Sequence, residues 1–301
     1  MIFGAFPDGQ QPDGNTVIFA APDGLIVMDT GRHAEHTQQI LDFAQQRHRP
    51  IEAIINSHWH LDPIGGNSRV RSAYPDVRIY ASGALEGALP GFLANYRREL
   101  EGALQRMPDN PQAQGWRDEL ALIAAAPGSI ADERIDHSGT RVIAGRKLVI
   151  QLEAPAATAG DVWVFDPVSR VVAAGDLVTL PVPFLDTACP QGWMTALNSL
   201  SRTRFTTLIP GHGAPMTRAG FETYRRAYRN LLTCASARER APGACVDGWI
   251  RDASPLITDQ DRTRTMMNYY IVNSLRASTE HTEGLCAPRL QVGRTGDEPV
   301  R

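Results

Sequence analysis

The residues of this 301-residue chain best suited to chemistry are two histidines and an aspartate at alternate positions. His58, His60 and Asp62 follow directly on an apolar run at 51–55. In an extended segment, alternate side chains project to the same side. Imidazole and carboxylate groups are common ligands of zinc and other transition metals, and a Gly-Gly pair just beyond Asp62 lets the backbone turn tightly. The stretch therefore predicts a metal site at the end of a strand.

Two further candidate donors occupy loops at predicted strand ends. Asp176 follows an apolar run at 171–174, and His212 lies between two glycines directly after the predicted strand at 206–209. Loops positioned by a rigid scaffold are where binding and catalytic residues concentrate. We therefore expect both side chains to join the metal site. The remaining histidines are expected on the surface or in the core without a metal: His33, His36, His48, His137 and His281.

Two groups of β-rich segments, each followed by helical segments, predict an α/β fold in which helices cover two sheets. The first group comprises segments 16–20, 25–28, 51–55 and 77–80, with a helix at 36–47. The second comprises segments 142–143, 147–152, 162–165, 171–174 and 206–209, with helices at 193–201 and after Thr217. We expect the two halves to pack face to face.

A helical insertion at about 83–126 separates the two groups of strands. It follows directly on the metal-site half, so it is expected either to form a lid or wall over the site or to pack on the edge of a sheet. A C-terminal helical region is expected at about 217–280. We predict a single domain over 1–290 and a disordered polar tail at 291–301.

Four motifs resemble those of the metallo-β-lactamase-fold superfamily. They are His58-Trp-His-Leu-Asp-Pro-Ile-Gly-Gly, Asp29-Thr-Gly, Gly-Asp176 and Gly-His212-Gly, and the resemblance covers about residues 12–220. It implies a four-layer αββα sandwich with a metal site, usually of two zinc ions, at one edge of the facing sheets. By the same resemblance, Asp29 supports the site structurally.

The resemblance also implies a role for each donor. His58 and His60 are expected to bind the first metal. Asp62 and His212 are expected to bind the second, and Asp176 is expected to bridge the two.

Two positions depart from the usual ligand set of the superfamily. Pro63 stands where many members have another histidine, and Ala157 stands where the third histidine of the first metal normally lies. Neither side chain can coordinate zinc. A catalytic zinc needs about three protein ligands and an open position for water, and the surviving donors supply three to each of two sites if Asp176 is shared. We expect a reduced site with one or two zinc ions, and Glu153 or a cysteine as a less favoured substitute donor.

The expected reaction is hydrolysis of a small ester, lactone, thioester or β-lactam carbonyl. A bound metal lowers the pKa of water from about 15.7 to about 7 and so supplies hydroxide at neutral pH. Asp62 is the expected catalytic residue, which orients this water or takes up a proton. The chain has no Gly-x-Ser-x-Gly, phosphate-binding or dinucleotide-binding motif. The alternative is a noncatalytic or weakly active binding protein on the same fold, with a degenerate metal site.

Two aromatic side chains near these motifs have different expected roles. Trp59 alternates with the histidines and is expected to point into the sheet core. Phe184 lies on a loop shortly after Asp176, which makes it a candidate for the wall of the substrate site.

Composition narrows the expected partners to a small-molecule substrate. A net charge of -3 and a pI of about 6.2 give no basic footprint for nucleic acid. No apolar run reaches the roughly 20 residues that span a bilayer, so membrane insertion is not expected. The oligomeric state is not encoded in any of these patterns.

All four cysteines lie in the C-terminal half and none has CxxC spacing. Of the three possible pairings, the favoured one joins Cys234 to Cys245 across a Pro-Gly turn and leaves Cys189 with Cys286. Disulfides indicate an oxidising location, so a periplasmic or secreted protein is expected, with a signal peptide absent from this chain. Four buried free thiols in a cytoplasmic protein are the alternative.

Overall fold

The computed structural model describes residues 1–6 and 11–287. The predicted tail at 291–301 lies outside the described residues. Two sheets, each covered by helices on its outer face, form the predicted αββα sandwich.

The first sheet has five strands in chain order. They are β1 (Val17–Ala20), β2 (Leu25–Met28), β3 (Ile51–Ile55), β4 (Arg78–Ala81) and β5 (Glu133–Arg134). The hairpin of β1 and β2 is antiparallel, and the pairs from β2 to β5 are parallel. Parallel strands end at a common edge, where the candidate donors at 58–62 follow β3.

The second sheet has six strands in the spatial order β11-β10-β9-β8-β7-β6. They are β6 (Gly139–Ile143), β7 (Arg146–Glu153), β8 (Asp161–Asp166), β9 (Val171–Ala173), β10 (Thr207–Ile209) and β11 (Met216–Thr217). Only β9 and β10 pair in parallel. The loops after these two strands carry Asp176 and His212 to one edge of the sheet.

The helices of the described chain fall into an outer layer for each sheet, an insertion and the short turns of the motifs. They are α1 (Ala34–Gln46), α2 (Leu61–Ile64), α3 (Asn67–Ala73), α4 (Ala84–Ala88), α5 (Ala94–Arg106), α6 (Ala113–Ala125), α7 (Pro190–Leu200), α8 (Arg218–Ser236), α9 (Pro242–Asp252), α10 (Gln260–Tyr270) and α11 (Thr279–Cys286). A π-helical turn, Leu89–Leu93, joins α4 to α5.

The core between the sheets follows from the alternation of side chains along each strand. In β2, Ile26 and Met28 pack against the second sheet. Leu25 and Val27 belong instead to the cluster under α1 and α3. The outer face of the second sheet packs in the same way under α7, α8, α9 and α10, around the buried Trp193.

The insertion and the C-terminal helices occupy the predicted parts of the chain. The insertion spans α4, α5 and α6 and packs against Trp59, Leu61 and Ile64. The prediction that Trp59 enters the sheet core is therefore wrong. The chain leaves the extended conformation after Ile55, so the two-residue alternation does not reach Trp59.

Two further findings bear on the environment of the protein. Cys234 lies at disulfide distance from Cys245 and Cys189 from Cys286, which confirms the favoured pairing. None of the helices in the described ranges is both long and apolar enough to cross a bilayer.

Candidate metal centre

The backbone of the motif differs from the predicted extended segment. Residues 57–60 form bends after β3, and Asp62 lies in the first turn of α2. Pro63 fits this turn because proline is tolerated at the start of a helix. Its carbonyl accepts hydrogen bonds from the Thr30 hydroxyl at 3.0 Å and the Asn56 amide at 2.9 Å. The extended-segment prediction is wrong, because the chain bends after β3 and these bonds stabilise the helical turn in which Asp62 lies.

The first candidate donor set consists of His58, His60 and Asp176. The Nε2 of His58 lies 3.0 Å from the Nδ1 of His60 and 3.6 Å from the Oδ2 of Asp176. The remaining ring nitrogens contact hydroxyl groups, of Ser57 at 2.8 Å and of Thr187 at 3.0 Å. Such contacts fix ring orientation in metal sites, and they leave two nitrogens facing the same point.

The second candidate donor set consists of Asp62, Asp176 and His212. The Nε2 of His212 lies 3.1 Å from the Oδ2 of Asp62 and 3.5 Å from the Oδ1 of Asp176. Within each set the donor atoms lie within 4.8 Å of one another. Asp176 belongs to both sets, so the structure brings all five predicted donors together.

Burial keeps the two histidines of the first donor set in the neutral form that suits metal binding. It lowers the pKa of His60 to about 4 and that of His58 well below its usual value, so both imidazoles are neutral at pH 7. Metal ligation requires the neutral imidazole. Burial raises the pKa of Asp176 to about 7. Its Oδ2 has no hydrogen-bond partner among the described residues, and such a buried oxygen is costly unless a cation satisfies it. The donors therefore fit a divalent cation.

In the described part of the structure, no other side chain takes the place of the donors missing at Pro63 and Ala157. Ala157 is buried, and its carbonyl accepts a hydrogen bond from the Thr187 hydroxyl at 3.2 Å. Of the substitute donors considered, Glu153 accepts a hydrogen bond from the Trp163 indole, and the cysteines are paired. Within the described part of the chain, neither donor set includes Glu153 or a cysteine.

Asp29 supports the start of the motif. It adopts a left-handed backbone conformation with a φ of 63°. Its Oδ1 accepts a hydrogen bond from the backbone N–H of Ser57 at 2.7 Å. Burial raises the pKa of Asp29 to about 8. The contact fixes the residue directly before His58.

Two side chains that are distant in sequence from the second donor set hold its members in position. The guanidinium of Arg32 lies 3.7 Å from the Oδ1 of Asp62 and donates to both carboxylate oxygens of Glu119, at 2.5 and 2.6 Å. Asn15 donates through its side-chain amide to the carbonyls of Pro210 and Gly213, on either side of His212. Sequence reasoning missed these residues because no motif or periodicity links them to the donors.

Two glycines let the loops that carry the donors approach each other closely, both within the second sheet and between the two sheets. A Cβ on Gly211 would lie 2.2 Å from the Oδ1 of Asp176. Gly175 has a φ of 51°, and a Cβ there would lie 2.5 Å from the Cβ of Ser57. Only glycine permits this close approach.

A cavity of about 500 Å³ opens onto the donors and includes His60 and Asp62 in its lining. Phe184 lies on its wall, with its ring centroid 5.2 Å from that of His212. The insertion contributes Phe92 and Tyr96, so it forms a wall of the cavity as well as packing beside α2. The remaining aromatic lining comes from Trp59, Tyr269 and Tyr270.

Residues 10–212 match the family model described as the metallo-beta-lactamase superfamily. The chain belongs to this superfamily. The match covers more than half of the chain and includes all five candidate donors. Superfamily membership supports a metal-dependent hydrolase in general.

Among curated proteins, this metallo-β-lactamase superfamily member is 27% identical over 221 residues to a linear primary-alkylsulfatase from Pseudomonas sp. (strain ATCC 19151). That match covers 65% of this chain but 41% of the alkylsulfatase. A shorter match, 44% identical over 41 residues, is to a hydroxyacylglutathione hydrolase from Gloeobacter violaceus and covers 14% of this chain and 16% of that protein. The chain thus spans well under two thirds of either relative.

Solved structures show the same fold. A metallo-β-lactamase from Pontibacter korlensis aligns with a TM-score of 0.55 and 20% identity over 75% of this chain and 92% of its own. A stereoselective inverting sec-alkylsulfatase from Pseudomonas sp. aligns with a TM-score of 0.58 and 19% identity over 89% of this chain and 48% of its own. At these identities, the likeness concerns the fold alone.

Proposed function

We propose that the protein is a zinc-dependent hydrolase that cleaves a small ester, lactone, thioester or β-lactam at its carbonyl group. The observation that carries the proposal is a pair of donor sets that share Asp176 and lie beside one cavity with aromatic walls, which His60 and Asp62 help to line. Nitrogen and carboxylate donors of this kind suit zinc. A zinc ion held by these residues supplies Lewis acidity and a source of hydroxide near neutral pH.

All five side chains would hold a cation, and Asp62 has a second role because it also faces the reaction. His58, His60 and Asp176 form the first holding set, and His212 belongs to the second. Asp62 lines the cavity. Burial alone would raise the pKa of Asp62, but its hydrogen bond with His212 holds the pKa well below the usual range. An ionised Asp62 accepts a hydrogen bond from the attacking water and orients it.

The bond changes are those of acyl transfer to water. The water oxygen bonds to the carbonyl carbon, and the bond from that carbon to oxygen, sulfur or nitrogen breaks. The leaving group takes up the proton that the water loses. The aromatic side chains Phe184, Phe92 and Tyr96 exclude solvent from the substrate, which strengthens electrostatic interactions in the cavity.

Sulfate-ester hydrolysis is a second candidate, because the longest of the curated matches described above is to an alkylsulfatase. The charges of the cavity favour a carbonyl substrate instead. Among its described lining residues the only arginine or lysine is Arg32, and this guanidinium already contacts Glu119 and Asp62. A sulfate group would find no uncommitted guanidinium or ammonium group among these side chains.

The rival proposal is a noncatalytic binding protein with a degenerate metal site. Its support is the loss of two usual donors at Pro63 and Ala157. Location is likewise proposed: the two cysteine pairs favour a periplasmic or secreted protein.

The deciding experiment measures zinc content per chain together with hydrolysis of a chromogenic cephalosporin, a lactone and a thioester. We expect bound zinc and turnover of at least one substrate, and loss of both in Asp176→Asn. His137→Ala, at an exposed position outside the donor sets, is the matched control. Zinc binding without turnover would favour the rival, and a chain that binds no zinc after supplementation would overturn the metal-dependent proposal.

A further inference from the structure

A second groove, of about 370 Å³, continues from the main cavity along the insertion. The two share Trp59, Phe92, Asp186 and Thr187 in their linings. The hydroxyl of Thr187 lies 3.0 Å from the Nε2 of His60. The inner end of the groove is therefore one side chain away from the candidate metal donors.

The wall contributed by the insertion is built from very small residues. Gly83, Gly87 and Gly91 recur every four residues, with Ala84 and Ala88 beside them, and all five line the groove. Gly87 lies within α4, whereas Gly83 directly precedes this helix and Gly91 lies at a kink in the π-helical turn that follows it. The larger Leu side chains of the same segment are buried in the cluster with α2. The groove thus has a smooth apolar wall of backbone and methyl groups.

Packing does not require the glycine at position 87. A Cβ there would have no atom within 4 Å, and its backbone φ is not positive. Gly87 lies inside α4, where glycine is less favourable than alanine by about 1 kcal/mol. A side chain at this position would therefore fit and stabilise the helix. Its absence keeps the groove open.

The rest of the lining is apolar along most of the groove. Trp59, Phe92, Ala159 and Leu285 supply rings and methyl groups. The polar side chains Asp186 and Thr187 lie where the groove meets the main cavity, since they line both spaces. Among the described lining residues, Asn95 is the one polar side chain that lines the groove alone. This distribution suits a ligand with a reactive polar end in the main cavity and an apolar remainder in the groove.

We propose that the groove binds an unbranched aliphatic chain attached to the carbonyl group of the substrate. This inference rests on the proposed hydrolase function and narrows its substrates to medium-chain acyl compounds. The hydrophobic effect along the wall of glycines and alanines supplies the free energy that binds the chain. Because it acts on ground state and transition state alike, it lowers KM and leaves kcat unchanged.

The test compares p-nitrophenyl esters with acyl chains of two to ten carbons on the zinc-loaded protein. Each methylene that enters the groove should raise kcat/KM by about two- to fourfold. The variant Gly87→Leu, which fills part of the groove, should abolish this dependence beyond short chains, whereas Gly243→Leu should keep both the dependence and the hydrolysis of the acetyl ester. Gly243→Leu is the matched control, because this exposed glycine of α9 also has open space around its Cβ position but lies outside the groove.

A second readout is independent of turnover. Titration calorimetry with butanoate and octanoate should give tighter binding of octanoate to the wild type, and the difference should disappear in Gly87→Leu. Hydrolysis with no dependence on chain length would overturn the groove proposal and leave the hydrolase standing. Chain-dependent binding without any hydrolysis would instead support the groove and overturn the proposed function. Equal binding of octanoate to both proteins would also overturn the groove proposal.

Discussion

Arg32 and Asp62 lie 3.7 Å apart between guanidinium and carboxylate, although 30 positions separate them in the sequence. Glu119, on α6 of the insertion, accepts two hydrogen bonds from the same guanidinium. The pair therefore connects the insertion to the second donor set. Because Pro63 provides no donor there, the orientation of Asp62 has more influence on metal binding than it would in a complete site.

Replacing Arg32 by Gln should weaken both the fold and the second metal position. Glu119 would be left buried without its cation, and breaking a buried pair costs about 3–5 kcal/mol. Denaturant titration measures this loss, and zinc content per chain reports the second position. The control is Arg97→Gln, which breaks an exposed pair with Glu101 on α5 and should change stability by less than about 1 kcal/mol. Equal losses of stability and of zinc in the two variants would contradict the inference that Arg32 connects the insertion to the second donor set.

Restoring the missing donors should strengthen metal binding. Pro63→His and Ala157→His each add an imidazole, and we expect higher zinc affinity with an unchanged fold, measured by competition with a chromogenic chelator. Far-ultraviolet circular dichroism checks the fold. The substitution at position 63 should disturb the fold less, because the hydrogen bonds at Pro63 use its backbone carbonyl and are retained in the variant. If affinity does not rise, the side chain at that position does not face the metal.

Gly211→Ala should displace Asp176 from both donor sets. The added Cβ would lie 2.2 Å from Oδ1 of Asp176, so either the carboxylate or the loop must move. Overpacking of this kind costs about 1–3 kcal/mol, and zinc affinity should fall at least tenfold. Gly243→Ala, made where a Cβ meets open space, should retain both stability and zinc. A Gly211→Ala protein with normal zinc affinity would show that the loop relaxes freely.

The pair of Asp13 and His33 should make stability depend on pH. The Asp13 carboxylate contacts the Nδ1 of His33 at 2.8 Å, and this hydrogen bond raises the pKa of His33 above 6.5. Burial alone would raise the pKa of Asp13, but its hydrogen bonds with His33 and with the backbone of Arg32 lower it below 3.8.

The two pKa shifts make the free energy of unfolding change in opposite directions with pH. The contribution of His33 is fully present below pH 6.5 and is lost as the pH rises through the raised pKa of the folded state. The contribution of Asp13 is present above pH 3.8 and is lost as the pH falls through its lowered pKa. The free energy of unfolding of the wild type should therefore fall above pH 6.5, and His33→Gln should reduce this fall. In an Asp13→Asn background, His33→Gln should have little further effect on the slope.

The parts of the fold that sequence predicts are those with a strong local pattern. The β-rich apolar runs at Leu25–Met28 and Ile51–Ile55 suffice to identify β2 and β3. Strands β5 and β11 were not predicted, because two residues carry no period. Their pairing depends on neighbouring strands alone. The prediction of one domain over 1–290 stays a prediction.

The candidate site also contains residues that the sequence predicts and residues that it does not. Its donors stand in motifs, so His58, His60 and His212 could be named from spacing and loop position. Arg32 and Glu119 could not, because 87 positions separate them and each is one of many charged residues. Their partnership arises only when the insertion packs beside α2. The turn at Asp62 was missed for a related reason, since distant hydrogen bonds to the carbonyl of Pro63 stabilise it.

The pairing of Cys189 with Cys286 sets an order in time for the assembly of the protein. The bond spans 97 positions and joins the residue before α7 to the last residue of α11. Oxidation can close it only after residue 286 has been synthesised. The adjacent Leu285 lines the groove, so this part of its wall becomes covalently fastened late in biogenesis, after both sheets have been made.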